Sequence, residues 1–161
     1  MLNFLRTIFM LNYLRKKIHD KKTKPFYIFR GKKFIFSLGT SKPYKNIGRL
    51  IQAFATLTID FPDLYLLLTG RGDSYTPLQT QVRNLSIIDR VIFTNQLTDM
   101  EIAGCFRSAI FFAFPSIVEG FGLPVIEAMA CGCPVLTSNT TSLPEISSDA
   151  ALCVNPLSVK S

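Results

Sequence analysis

The sequence predicts an α/β domain with three layers, α/β/α, built around a parallel sheet of about six strands. Three observations predict it. From Phe34 onward, short apolar runs alternate with segments that carry their apolar residues at helical spacing. The runs are apolar throughout rather than alternating, which fits strands covered on both faces. The chain has 161 residues, 48% of them hydrophobic and 18% charged, which suits one domain with a full core and excludes a disordered chain. Such a sheet is Rossmann-like. Its crossovers are right-handed, and its ligands sit outside the carboxyl ends of the strands.

The elements follow in order. Residues 34–39 (FIFSLG) read as the first strand, closed by Gly39. Residues 47–59 place Leu50, Ile51, Phe54 and Leu57 on one helical stripe. Residues 65–70 (YLLLTG) are a buried strand, 78–86 a helix and 91–95 (VIFTN) a third strand. Asp99 is placed to cap a helix through Glu101, Ile102, Phe106 and Ala109. Residues 110–114 form the fourth strand. Pro124 then opens a helix through Cys131 that Gly132 ends. Residues 134–138 (PVLTS) are the fifth strand, 143–147 a short helical turn and 151–154 the sixth strand.

Charge divides the chain. Residues 1–33 hold ten Lys/Arg against Asp20 alone, a balance of +9, whereas residues 34–161 hold eight basic and ten acidic residues, a balance of −2. A nucleic-acid reader spreads positive charge over its folded surface, so a nucleic-acid partner is not expected. The leader, residues 1–33, interleaves Leu2, Phe4, Leu5, Ile8, Phe9, Leu11, Leu14 and Ile18 with its cations, a spacing that fits an amphipathic basic helix on an anionic membrane surface. A helix packed on a neighbouring domain fits the same pattern. Arg6 splits the apolar stretch and no small-residue cleavage site follows, so it does not read as a secretory signal. A cytoplasmic protein, peripheral on the membrane face, is the expectation.

The four cysteines lack paired CxxC spacing, and His19 is the sole histidine and lies in the leader. No structural zinc site and no Ser-His-Asp triad is expected. Cys131 and Cys133 flank Gly132 and read as reduced packing thiols, like Cys105 and Cys153. The stretch Gly70-Arg71-Gly72-Asp73-Ser74-Tyr75 starts like a dinucleotide fingerprint, but Tyr75 stands where its third glycine belongs. Asn84-Leu85-Ser86 and Asn139-Thr140-Thr141 spell glycosylation acceptors that carry little weight without a secretion signal.

The chemistry concentrates after the fourth strand, in Pro115-Ser116-Ile117-Val118-Glu119-Gly120-Phe121-Gly122-Leu123-Pro124-Val125-Ile126-Glu127. Glu119 falls in a loop and Glu127 in the first turn of the next helix. Gly120 and Gly122 let backbone approach a ligand closely. The free N–H groups of the helix start suit an anionic group, and the carboxylates are left for hydroxyls. A sugar nucleotide offers both.

This stretch resembles the Glu-x7-Glu signature of retaining glycosyltransferases of the GT-B fold, in the large group 1 (GT4-type) family. The likeness extends to Gly39-Thr40-Ser41-Lys42-Pro43-Tyr44-Lys45-Asn46, to residues 66–70 and 89–93, and to Ser138-Asn139 with Leu143-Pro144-Glu145 and Asp149-Ala150-Ala151-Leu152, about residues 34–156 in all. The resemblance implies the C-terminal, donor-binding half of a GT-B fold, and a hexosyl transfer from a nucleoside-diphosphate sugar with retained configuration. It implies that Glu119 contacts the donor sugar hydroxyls and is the catalytic position, that Glu127 holds the ribose, and that Lys45 holds the diphosphate. Gly39, Thr40, Gly120, Phe121, Gly122 and Leu123 line the donor, and residues 94–97 lie against the base. No metal is expected, since Lys45 and helix amides carry the leaving charge. The family's usual arginine beside that lysine is not matched: Thr40 and Tyr44 are the candidate positions. With only 33 residues before the first strand, the reading divides the chain into the leader, 1–33, and a donor domain, 34–161, without the acceptor domain or the family's final helices. The expected partner is an acceptor-binding domain in trans. The alternative is a non-catalytic or truncated sugar-nucleotide-binding half.

Overall fold

The computed structural model describes residues 31–39, 42–70 and 76–159. The leader through residue 30 with His19, the loop positions Thr40 and Ser41, and the Arg71-Gly72-Asp73-Ser74-Tyr75 turn lie outside the described residues.

Six strands form the sheet: β1 (Lys33–Leu38), β2 (Leu64–Thr69), β3 (Val91–Thr94), β4 (Phe111–Phe114), β5 (Val135–Ser138) and β6 (Ala151–Val154). All are parallel, in the order β3-β2-β1-β4-β5-β6. The order reverses between β1 and β4, where Ile35 pairs with Phe111 and Phe36 with Phe112. That reversal opens a crevice at the carboxyl ends of the two strands.

The helices are α1 (Ile47–Asp60), α2 (Thr76–Asn84), α3 (Asp99–Ser108), α4 (Leu123–Ala130) and α5 (Leu143–Ser147). Successive strand residues point to opposite faces, so the sheet builds two cores. On one face Ile35, Leu66, Leu68 and Val91 meet Ile47, Ile51 and Phe54 of α1 and Val82 of α2. On the other, Phe34, Phe36, Leu67, Phe112, Phe114 and Val135 meet Cys105 and Phe106 of α3, Val125 and Ala128 of α4, and Leu143 of α5. The second core is dominated by rings: Phe36 and Phe112 each approach Phe106, at 5.4 and 5.0 Å, and Phe112 stacks on Phe114 at 5.5 Å. Each such ring withdraws enough apolar surface to stabilise the fold by roughly 2–3 kcal/mol.

The expected α/β/α architecture is the observed one, with boundary corrections. Thr98 rather than Asp99 caps α3. Its hydroxyl accepts from the Glu101 amide at 3.3 Å, while the Glu101 carboxylate accepts from the Thr98 amide at 2.8 Å. That reciprocal box satisfies two end donors at once, which a cap at Asp99 would not. The Thr98 amide, and the Thr98 hydroxyl that also donates to the carboxylate at 2.8 Å, hold the Glu101 carboxyl below its ordinary value. Helix α4 begins at Leu123 with Pro124 in its first turn and the cap position at Gly122. Helix α2 begins two residues earlier than its apolar pattern suggested, since Thr76 and Pro77 contribute no periodic apolar signal.

Candidate functional site

The two loops that leave β1 and β4 flank the crevice, and each delivers one charged residue to it. After β1, Gly39 turns the chain at φ +85. A Cβ there would stand 3.2–3.4 Å from the methylene stem of Lys45, so a glycine leaves that stem its place. A 3₁₀ turn, Pro43–Lys45, then presents Lys45 just before α1. After β4, the chain runs through Pro115 and Ser116 to Glu119. The Lys45 ammonium donates to Glu119 Oε1 at 2.6 Å, with the two side chains only 16% and 12% exposed. The ammonium also lies over the Phe114 ring at 4.6 Å and near that of Tyr44 at 5.5 Å. The pair spans the reversal of strand order, where the architecture places ligands.

Polar side chains fix both loops. Asn46 adopts the left-handed conformation at φ +60, and its buried amide donates to Pro115 O at 3.1 Å and Pro156 O at 2.7 Å. Arg49 donates to Asn46 Oδ1 at 3.2 Å and to Pro156 O at 3.0 Å. One residue after Lys45 thus clasps the start of the Glu119 loop and the segment following β6. The Tyr44 carbonyl also accepts from the Ile117 amide at 2.8 Å. From the other side, Thr140 donates to Ile117 O at 3.0 Å, Thr141 accepts from the Glu119 amide at 3.2 Å, and Ser142 donates to the carbonyls of Glu119 and Phe121 at 3.2 and 3.1 Å.

The turn Gly120-Phe121-Gly122-Leu123 follows. Gly122 has φ +93, and a Cβ on it would stand 2.7 Å from Ile146 Cδ1 and 2.8 Å from Leu143 Cδ2. The left-handed backbone favours a glycine, and any side chain there would also have to displace the methyl ends of Ile146 and Leu143. At Gly120 an added Cβ would meet nothing within 4 Å. Phe121 and Leu123 are more than half exposed. The amides of Phe121, Gly122 and Leu123 reach no acceptor among the described residues, so the start of α4 offers uncommitted donors beside the ion pair.

The structure thus joins Lys45, Gly39 and Glu119 directly, and runs Gly120, Phe121, Gly122 and Leu123 on from them. Glu127 sits one turn into α4 on its exposed face and makes no ion pair among the described residues. Thr40 lies outside the described residues. Tyr44 is in place beside Lys45, and Arg49 is committed to the Asn46 clamp, so no described guanidinium joins the pair. In the segment expected to lie against the base, Asn95 and Gln96 are exposed, and Asn95 O accepts from Thr69 Oγ1 at 3.0 Å. No group of three or more His, Cys, Asp or Glu that could hold a metal occurs among the described residues. Their cysteines are free. Burial pushes the Cys105 thiol up to about 12, with the Glu101 charge adding to it. No described helix is long and apolar enough to cross a membrane.

Sequence reasoning missed the hydroxyls that lace the loops. Thr140 and Thr141 drew notice only as glycosylation acceptors, and nothing local in the sequence says that their partners lie more than twenty residues away. Asn46 stands at the cap position of α1 but makes no side-chain cap bond there. Its side chain instead clasps two distant carbonyls.

Comparison with known proteins agrees with this architecture. The family model described as "Glycosyl transferases group 1" matches residues 19–161. The O-antigen chain mannosyltransferase B of Escherichia coli is 39% identical over 121 residues, covering 74% of this chain and 32% of that protein. The O-antigen chain mannosyltransferase RfbU of Salmonella typhimurium is 33% identical over 148 residues, covering 89% of this chain and 41% of that one. Among solved structures, the C-terminal domain of a glycosyl transferase group 1 family protein (LpcC) from Francisella tularensis superposes with a TM-score of 0.69 at 24% identity, over 90% of this chain and 75% of that domain. The matched stretch spans about a third to two fifths of the length of these two mannosyltransferases. A parallel sheet of this order, a family match that runs through the whole described body, and relatives a third or more identical over the aligned residues lead to one assignment: the chain belongs to the glycosyl transferases group 1 family.

Proposed function

We propose that this chain is the donor-binding domain of a retaining glycosyltransferase, taking a nucleoside-diphosphate sugar and delivering its hexosyl unit to an acceptor held by a second domain. The observation that carries the reading is the 2.6 Å contact between Lys45 and Glu119 at the crevice, beside the uncommitted amides of the Gly122 turn. A cation and helix-start donors suit a diphosphate; a carboxylate among them suits the hydroxyls of the attached sugar. Glu127, exposed on α4, is assigned to the ribose, and Gly39 and Thr40 to the loop around the phosphates. The relatives named mannosyltransferases make a mannosyl donor the first to test.

In the transfer, the bond between the anomeric carbon and the diphosphate oxygen breaks, and its electron pair stays on that oxygen. The acceptor hydroxyl bonds to the same carbon from the same face and passes its proton to the departing diphosphate oxygen, so that the step balances. Lys45 and the amides of Phe121, Gly122 and Leu123 meet the negative charge that develops on the leaving diphosphate, so the reading needs no metal. The second domain, covalent or in trans, supplies the acceptor site. The basic leader is assigned to the surface of an anionic membrane, facing a cytoplasmic site.

Calorimetry on the full chain tests the donor site. The wild type binds a nucleoside diphosphate among UDP, GDP and ADP, and Lys45→Met weakens that binding at least roughly tenfold, in line with the loss of a charge-assisted contact. Wild type that binds none of the three, or K45M that binds as well as wild type, removes the reading.

A further inference from the structure

Two residues assigned to different parts of the donor hold each other instead. Lys45 gives its ammonium to Glu119 at 2.6 Å, and Glu119 Oε1 has no other hydrogen-bond donor among the described residues. We propose that this ion pair lets the site distinguish a nucleoside diphosphate that carries its sugar from one that has lost it. The proposal rests on the donor-site reading above and adds a specificity to it.

The argument is one of exchange. A diphosphate recruits Lys45 and thereby draws it away from Glu119. The carboxylate is only 12% exposed, so water replaces the lost partner poorly, and the phosphate adds a second negative charge nearby. A carboxylate left in that state opposes binding. A hexosyl group changes the balance, because its hydroxyls donate to the carboxylate that the lysine has left. The loaded nucleotide therefore satisfies both partners of the broken pair, and the bare nucleotide satisfies one. The loops cannot relax to ease the mismatch: Asn46 ties the lysine side to Pro115, and Thr141 with Ser142 ties the Glu119 backbone to the loop after β5. The same asymmetry acts after transfer. Once the glycosyl unit has gone, Glu119 competes with the spent nucleotide for Lys45, and re-formation of the pair favours its release.

The test compares paired ligands on the full chain: UDP with UDP-glucose and GDP with GDP-mannose, by calorimetry, for wild type and Glu119→Gln. The wild type favours the sugar-bearing member. E119Q binds the bare diphosphate tighter, roughly three- to tenfold, and the sugar-bearing form weaker. These opposite signs are the signature. If both ligands tighten together, Glu119 acts only as a repulsive charge; if both weaken, the pair is structural; if neither changes, the pair does not couple to the ligand. Each of these three outcomes overturns the proposal while leaving the donor-site reading intact. Failure of the wild type to bind either member of both pairs, and ADP as well, overturns that reading first. Glu119→Asp, which withdraws the carboxylate by one methylene and keeps its charge, shifts the ratio in the same direction by less, and it decides the matter should E119Q not fold.

Discussion

Gly120 and Gly122 sit two residues apart in one turn, yet answer to different demands. Gly122 is required by the protein, because a Cβ would press on Ile146 and Leu143 and its φ is +93. Gly122→Ala is expected to cost about 1–3 kcal/mol, from strain and overpacking together, read as a lower Tm and a lower denaturation midpoint. Gly120 is free of such contacts, so Gly120→Ala should melt like the wild type while losing affinity for the sugar nucleotide, because the new methyl occupies the ligand's clearance. A G120A protein with full affinity argues against a ligand at that turn. Asn46 is the most constrained polar residue of the site. Asn46→Ala removes two buried hydrogen bonds at a left-handed position, for about 2–3 kcal/mol, and Asn46→Gly recovers about 1 kcal/mol of that by relieving the backbone alone. Chemical denaturation of the two variants separates the contributions. That Lys45, Glu119 and the glycines stand in two neighbouring loops was legible from the motifs that hold them, whereas Glu127 falls on the helix that follows. The left-handed geometry of Asn46 and the hydroxyl bonds of Thr140, Thr141 and Ser142 were not legible, since any exposed loop is rich in these types.

Among the elements, strands were easier to find than helix ends. An apolar run such as LYLLLT in β2, six residues between Pro62-Asp63 and Gly70, has the length and the flanks of a strand buried on both faces. Helix starts depend on which of several neighbouring oxygens reaches an amide, and Thr98 and Asp99 stand side by side. The capping box at Thr98 is testable: Thr98→Ala should destabilise the domain by about 1 kcal/mol, whereas Asp99→Ala, which breaks no cap bond, should cost less. Denaturant midpoints compare the two. A second test concerns the buried serines. Ser37 of β1, Ser116 after β4 and Ser138 at the end of β5 have hydroxyls without a hydrogen-bond partner among the described residues. A buried hydroxyl in that state opposes folding. Ser138→Ala should therefore leave Tm unchanged or raise it, and a clear fall in Tm would show that the hydroxyl is engaged.

For the whole molecule, the sheet is wound as two halves about β1 and β4, and its two cores stay on opposite faces. The parallel sheet and the position of the informative loops after its strands were legible in the apolar runs. The burial of Cys105 in α3 was legible too, since the residue read as a packing thiol and the structure buries it. Cys105 lies in the aromatic core and its thiol is pushed up to about 12, from burial first and the Glu101 charge second. The folded chain therefore keeps a proton that the unfolded chain releases near 9. This contribution to stability is complete below that value and is lost as the pH climbs from there toward 12. Melts across that range should show a steeper alkaline loss of Tm for wild type than for Cys105→Ala. The ring of Tyr44, poised 5.5 Å from the Lys45 ammonium in a chain without tryptophan, has a practical consequence. Intrinsic emission excited near the phenol band carries no indole background, so displacement of that ammonium by a docking nucleotide would register as a change in quenching, and occupancy could be followed in real time on the unlabelled protein.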